Sequence, residues 1–365
     1  MPQLQIQDFP LWENLKTSRR PLAFDIEITA RCNNDCRHCY INLPVNDAQA
    51  RSSELTCGEI IDITAQAAGL GAMWCLITGG EPLLREDFAD IYMGIKRQGL
   101  ITSIFTNATA IRSEHVALFK KYPPRDIEVT VYGASRESYE RVTRRPGSFA
   151  SFKRGLDRLL DAGLKVRLKA MALRSNLNDM EAIAAFGRTR TKDFYRFDPQ
   201  LHLRYDGNAS RNEEIQAERL PPAEVVELER ADPKRFGAME AQKDVLINNE
   251  FTHLGCDHLF HCGAGKNSFV VGYDGTFRLC ASLWAPGTMV NLRELSLREA
   301  WETFVPQVRD LRSHNTEYLD SCLKCSIVNL CLHCAAHAYL ETGAMDGPTP
   351  YFCEVAHQRA AALKK

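Results

Sequence analysis

The chain has 365 residues, with 45 Lys plus Arg against 46 Asp plus Glu and a net charge of −1 when histidines are neutral. Hydrophobic residues at 45% and charged residues at 25% are ordinary globular values and exclude a disordered chain. The balance of charge excludes a general electrostatic attraction to nucleic acid or to a membrane surface. MPQLQIQDFPLWENLKTSRR has no signal-peptide pattern, and nowhere is there an apolar run of the roughly 18 residues that a spanning helix needs. A cytoplasmic location is therefore expected. In that reducing compartment thiols stay free as metal ligands or reactive groups, so the 13 cysteines are the informative feature.

Residues 1–20 read as an N-terminal extension. PLAFDIEIT (21–29) alternates like a strand, with Leu22, Phe24, Ile26 and Ile28 toward one side. Thr56-Cys57-Gly58-Glu59 is a capping-box pattern that opens a helix closing at Gly69 and Gly71. Strands are expected at 72–78, 101–106, 126–133, 164–173 and 193–204, with helices near 86–98, 112–121, 148–163 and 177–188 between them. Six β/α units over residues 21–206 predict an α/β fold whose parallel sheet curves into a partial or full barrel, with ligands beyond the C-terminal strand ends. Residues 207–250 read as a linker or bridging segment, and 251–365 as a cysteine-rich domain.

Cysteines split the chain. Cys32, Cys36 and Cys39 stand together, eight more lie between Cys256 and Cys353, and none falls between 76 and 255. Cys57 and Cys75 read as packing residues. The first group forms C-x3-C-x2-C in the loop after strand one. Three such thiolates suit three irons of a [4Fe–4S] cube, leaving the fourth iron open to a small molecule; a zinc site completed by His38 or a distant group is the competing reading.

With Gly79-Gly80-Glu81-Pro82 at the end of the second strand, this loop resembles the signature of the radical SAM superfamily; the resemblance covers roughly residues 20–205 and implies a partial (β/α)6 barrel. It implies that Gly79, Gly80, Glu81 and Pro82 receive the methionyl amine of S-adenosylmethionine, the glycines by close backbone approach and Glu81 as acceptor. Thr106 and Asn107 at the third strand end, Thr130 at the fourth, and Tyr40 beside the last thiol complete the implied cofactor contacts. Thr143 stands where many relatives have an arginine, so Arg141, Arg144 and Arg145 are left as partners for the cofactor's carboxylate. The family's chemistry is one-electron cleavage of the cofactor to a 5′-deoxyadenosyl radical that abstracts hydrogen from substrate, with a flavodoxin- or ferredoxin-type reductant as electron source.

The second half has Cys262, Gly275, Cys280, then Cys322-x2-Cys325-x5-Cys331-x2-Cys334 and Cys353. This pattern resembles the SPASM domain, which carries two auxiliary [4Fe–4S] clusters. The resemblance implies one set of Cys256, Cys262, Cys280 and Cys334 and another of Cys322, Cys325, Cys331 and Cys353. Relatives commonly have one residue more before the position of Cys334, which leaves His333 as a substitute ligand. Paired C-x2-C units also allow a zinc module. Tyr-Asp-Gly-Thr (273–276) predicts a hairpin.

SPASM relatives favour a peptide or protein substrate, to be crosslinked or otherwise oxidised. The 20 residues before strand one are too few for a leader-binding domain, so such a substrate would bind directly in the barrel mouth or be presented by a separate recognition protein. Ala281 follows Cys280 where sulfatase-maturing relatives have a proton-accepting Asp, which argues against formylglycine formation. The strand ends offer Lys169, Asp198, His202, Arg204 and Asp206 as substrate-facing residues. The alternatives are a small-molecule substrate, such as a tetrapyrrole side chain or a sugar-derived metabolite, and a non-enzyme iron–sulfur carrier or zinc adaptor.

Overall fold

Six parallel strands form the barrel in chain order: β1 (Ala23–Glu27), β2 (Trp74–Thr78), β3 (Ile101–Thr106), β4 (Asp126–Thr130), β5 (Val166–Met171) and β6 (Tyr195–Asp198). The structure is a computed structural model that describes residues 19–191, 195–247, 256–331 and 333–364. Phe24 and Ile26 of β1 are buried in the apolar core, while Asp25 and Glu27, on the opposite pleat, face into the barrel. Helices between the strands cover the outside. Cys57–Gly69 starts on the expected capping box, where Thr56 accepts from the Glu59 amide and Glu59 accepts from the Thr56 amide.

Two sequence expectations need correcting. The sixth strand ends at Asp198 rather than near 204, because Pro199 cannot continue the ladder; Leu201 and Leu203 are instead buried from a non-strand segment. The start of that expected strand, 193–194, lies outside the described residues. A helix at Arg136–Thr143 has no counterpart in the sequence reading: it is short, strongly charged, capped by Ser135 and stopped by Arg144 in a left-handed conformation (φ 51°).

The outer edge of β1 is covered by the cysteine-rich half. β7 (Ser268–Val271) pairs parallel with β1, Ala23 opposite Ser268 through Ile26 opposite Val271. The expected hairpin then turns at Tyr273–Gly275 into β8 (Thr276–Arg278), and β9 (Met289–Asn291) completes a nine-stranded sheet. Phe24 stacks on Phe269 with centroids 5.2 Å apart. The guanidinium of Arg278 donates to Glu27 at 2.8 Å, with both side chains essentially inaccessible, and lies 3.6 Å from the Trp284 ring centroid.

Residues 207–247, read from sequence as a linker, are helical in the described residues, with helices at Ala209–Glu218, Pro222–Ala231, Pro233–Glu240 and Lys243–Ile247. Pro222–Ala231 packs along the C-terminal helix Pro350–Leu363. There the fully buried Glu229 receives both Arg235 at 2.8 Å and Arg359 at 2.7 Å.

Breaking one side of a buried ion pair strands the other charge. Arg278→Met is therefore expected to lower the unfolding free energy by about 3–5 kcal/mol, measured by urea denaturation. Adding Glu27→Gln should restore part of that loss, because the stranded carboxylate is gone.

Candidate active site

The loop after β1 is anchored before it reaches the thiols. Arg31 makes two bonds to Glu54, at 2.7 and 3.0 Å. The Asp35 and Arg37 amides donate to the carbonyls of Thr143 and Val142, so the end of helix Arg136–Thr143 holds the loop from one side. Arg211 donates to the Cys36 carbonyl at 3.0 Å, and Arg204 donates to the carbonyls of Cys39 and Asn42 at 3.3 Å. Asp206 pairs with Arg204 at 2.6 Å. Arg204 and Asp206, expected from sequence to face substrate, are thus turned to the back of the loop, where they position it; neither lines the barrel cavity.

That cavity has a volume of about 370 Å³ and lies at the C-terminal strand ends, lined by Cys32, Cys36, Cys39, Tyr40, Gly79, Gly80, Thr106, Asn107 and Thr130. The size suits a small-molecule cofactor. Burial, first of all, pushes the Cys32 thiol up to about 12 and raises Cys36 and Cys39 as well, with the neighbouring thiols adding to Cys32 and Cys36. Three thiols this dry are poor thiolates on their own and fit ligands whose charge is carried by bound cations. Among the described residues no three Cys, His, Asp or Glu side chains are gathered tightly enough to share a single metal ion.

Glu81 and Pro82 do not line this cavity. The Glu81 carboxylate is fully buried and accepts from Thr106 Oγ1 at 2.8 Å, the Asn107 amide at 2.7 Å and the Leu83 amide at 3.1 Å; burial pushes its pKa up to about 7. Glu81 thus fixes the third strand end instead of presenting an acceptor to a ligand. The glycines answer a different constraint from the one inferred from sequence. At Gly79 (φ 132°) a Cβ would lie 2.1 Å from the Thr29 carbonyl oxygen, and at Gly80 one would lie 2.4 Å from that of Arg31. It is the crossing backbone of the β1 loop that demands glycine here.

Deeper in the barrel the cavity is lined by Asp25, Glu27, Lys169, Asp198, Gln200 and His202. Lys169 is paired with Glu128 at 2.8 Å and sits 3.6 Å from the Phe105 ring centroid. Burial, with the Glu27 charge beside it, raises the Asp25 carboxyl to about 6. Asp25 and Glu27 are absent from the sequence-based set; their signal was the acidic residue at every second position of an otherwise apolar strand. Ala281, directly after Cys280, also lines the cavity. Of the three arginines left open by sequence, Arg141 is exposed, and Arg144 is taken up by Asp35 and Glu214. Arg145 borders a groove with Cys32 and Asn34 and keeps a buried, unpartnered Nη1.

A second cavity of about 420 Å³ is lined by Cys262, Cys280, Cys322, Cys331 and Cys334. The Cys280 thiol is raised to about 11 by burial and then by Cys334, with Cys262 adding. Cys331 is raised to about 12 by burial and then by Cys353, Cys322 and Cys325. Cys262 and Cys334 thus bear on Cys280, and Cys322, Cys325 and Cys353 bear on Cys331, while thiols of both groups line the one cavity. His333 also lines this cavity, with Nε2 3.1 Å from the Gly347 carbonyl and Nδ1 buried without a hydrogen-bond partner. Cys256 lies outside the cavity lining, with its sulfur 2.9 Å from His258 Nδ1, and His258 is in turn 2.9 Å from Asp310.

Two outcomes are expected. Arg204→Ala removes the donor that holds Cys39 and Asn42, so anaerobic reconstitution should yield about one third less iron per chain if each thiol set holds one cube. The raised Asp25 pKa adds stability that is complete below about pH 4 and is lost as pH rises through about 6. Asp25→Asn should therefore flatten the fall in urea midpoint across that interval, a difference of roughly 3 kcal/mol at most.

Comparison with known proteins agrees with this geometry. Residues 26–187 match the Radical SAM superfamily, and residues 262–326 match the iron–sulfur cluster-binding domain SPASM. The chain is 24% identical to an AdoMet-dependent heme synthase of Methanosarcina barkeri, over 89% of this chain and 94% of that protein. It is 23% identical to the mycofactocin maturase MftC of Mycolicibacterium smegmatis, over 90% of this chain and 82% of that protein. Streptococcus suis SuiB, crystallised with the precursor peptide SuiA, shares the fold with a TM-score of 0.70 at 16% identity, covering 94% of this chain and 78% of that one. No described helix is long and apolar enough to cross a membrane. The cofactors are S-adenosylmethionine with its [4Fe–4S] cluster and the auxiliary clusters of the SPASM domain. The chain belongs to the radical SAM superfamily, as an enzyme of the branch that joins a SPASM domain to the partial barrel.

Proposed function

We propose that this enzyme abstracts hydrogen from a peptide or protein substrate and leaves a crosslink or another oxidised side chain. In this reading Cys32, Cys36 and Cys39 hold the cluster that binds S-adenosylmethionine. One auxiliary cluster takes Cys256, Cys262, Cys280 and Cys334, and the other takes Cys322, Cys325, Cys331 and Cys353. Bound together, cofactor and first cluster supply the 5′-deoxyadenosyl radical. The backbone at Gly79 and Gly80, with Thr106, Asn107, Thr130 and Tyr40, shapes the cofactor's end of the cavity, and Arg145 is the donor for its carboxylate. Lys169, Asp198, His202 and Asp25 face the substrate's end, where they orient it and keep water out.

The observation that carries the substrate class is the charge of that end. Two carboxylates, Asp25 and Asp198, face the cavity there beyond the pairs that Glu27 makes with Arg278 and the single lysine makes with Glu128. A neutral or cationic side chain is accommodated without further countercharge. A tetrapyrrole of the coproporphyrin class carries several carboxylates and would meet like charge. The methyl group of Ala281 at the cavity wall likewise offers no proton acceptor for formylglycine formation. A second reading, a tetrapyrrole side chain as substrate, is favoured by one specific observation, the nearly full-length match to a heme synthase.

Anaerobically reconstituted protein should bind about twelve irons per chain and release 5′-deoxyadenosine only with reductant. Iron near zero, or no cofactor cleavage at full loading, would end the radical reading. Co-expression with short peptides encoded beside the gene, followed by mass spectrometry, separates the two substrates. Loss of two hydrogens from a peptide supports the proposal, whereas unchanged peptides together with turnover of an iron-coproporphyrin would replace it with the second reading.

A further inference from the structure

Two cavities with different thiols meet at one wall. Gln200 lines both of them, His202 lines the first, and His337 lines the second. Through this wall runs a continuous column of rings. Tyr40, next to Cys39 in the chain, lies with its centroid 4.6 Å from that of His202. His202 stacks on His337 at 5.4 Å with planes 19° apart, and His337 stacks on Phe352 at 5.2 Å and 27°. Phe352 immediately precedes Cys353, and His337 lies one helical turn beyond Cys334. The column therefore begins beside Cys39 of the first thiol group and ends beside Cys334 and Cys353 of the second half.

Its middle is braced by one cation. Arg219 donates to the Leu201 carbonyl, beside His202, at 3.1 and 2.8 Å and pairs with Glu341 on the helix that carries His337. Its guanidinium also lies 4.9 Å from the Tyr351 centroid and 5.4 Å from that of Phe352. The guanidinium contributes to holding the backbone of His202, the helix of His337 and the ring of Phe352 in one arrangement.

We propose that Tyr40, His202, His337 and Phe352 form the path by which single electrons pass between the N-terminal cluster site and the auxiliary cluster sites, with Arg219 as its positioning residue. Electronic coupling falls steeply with each unfilled gap, and ring centroids 4.6, 5.4 and 5.2 Å apart leave little unfilled distance along this line. The step balances without proton transfer or bond cleavage: one site loses the electron that another gains, and each returns to its former state when the electron moves back. The inference rests on the three-cluster reading above.

The test uses the reconstituted holoprotein. A sub-stoichiometric pulse of photoreduction is followed by freeze-quench EPR, with the N-terminal signal identified by its change on adding S-adenosylmethionine. His337→Leu and His202→Leu are expected to slow redistribution of the electron several-fold while midpoint potentials, iron content and unfolding midpoint stay at the unsubstituted values. His337→Phe, which keeps a ring in place, should recover the rate. Rates in both leucine variants equal to that of the unsubstituted protein, or a phenylalanine variant as slow as its leucine counterpart, would overturn the path. So would the absence of any redistribution in the unsubstituted holoprotein, a measurement that does not depend on a variant folding. Low iron or missing 5′-deoxyadenosine would instead count against the parent reading, so the two failures are distinguishable.

Discussion

The first barrel strand has two edges, and the second must be paired if the buried β1 backbone is to keep its hydrogen bonds. β2 takes one edge and β7, some 240 residues later in the chain, takes the other. This pairing organises the rest. It draws the hairpin of the SPASM half into the barrel sheet, brings Phe269 onto Phe24, and delivers Arg278 to Glu27 where neither could stay charged alone. Because Ala281 follows β8 by only three residues, the same pairing sets Ala281 against the barrel interior, while Cys280 beside it lines the second cavity. The two halves of the molecule are thus one sheet with two cavities.

The barrel interior concentrates polar groups that a sheet of this kind would ordinarily exclude. Most of them are neutralised locally: Lys169 by Glu128, Arg278 by Glu27, and the Glu81 carboxylate by three donors. Asp25 is the exception, with its carboxyl raised by burial and by its strand neighbour Glu27. Outside the cavity, guanidinium groups do the opposite work. Arg31, Arg204 and Arg211 each tie the thiol-bearing loop to distant segments, and Arg219 does the same at the wall between the cavities. The segment 207–247 supplies two of these four cations, Arg211 from a helix and Arg219 from just beyond its end, so it serves as a brace as well as a connection.

Much of the barrel was legible because local patterns there agree with the final fold. Strand and helix periods, the Thr56–Glu59 capping box and the Asp274–Gly275 turn depend on neighbours in sequence, and each occurs where its pattern indicates. Legibility failed where a distant group decides the outcome. Pro199 ended β6 while Leu201 and Leu203 found burial without a ladder. Arg204 and Asp206 look like substrate residues on an extended strand, but the early end of that strand turns them to the back of the thiol loop. Glu81 looks like a ligand acceptor until the amide of Asn107 and the hydroxyl of Thr106, 26 and 25 residues away, occupy it.

By itself the sequence determined the chemistry class. Cysteine spacing and the glycine-rich strand end are local, and a cluster's demand for thiols at short intervals is written directly in the chain. Tertiary structure decided which polar residues face the cavity and that Tyr40, His202, His337 and Phe352 stand in one column. Those four residues span more than 300 positions. Only the pairing of sheet edges and the packing of helices across that distance bring their rings into contact, and no local pattern records it.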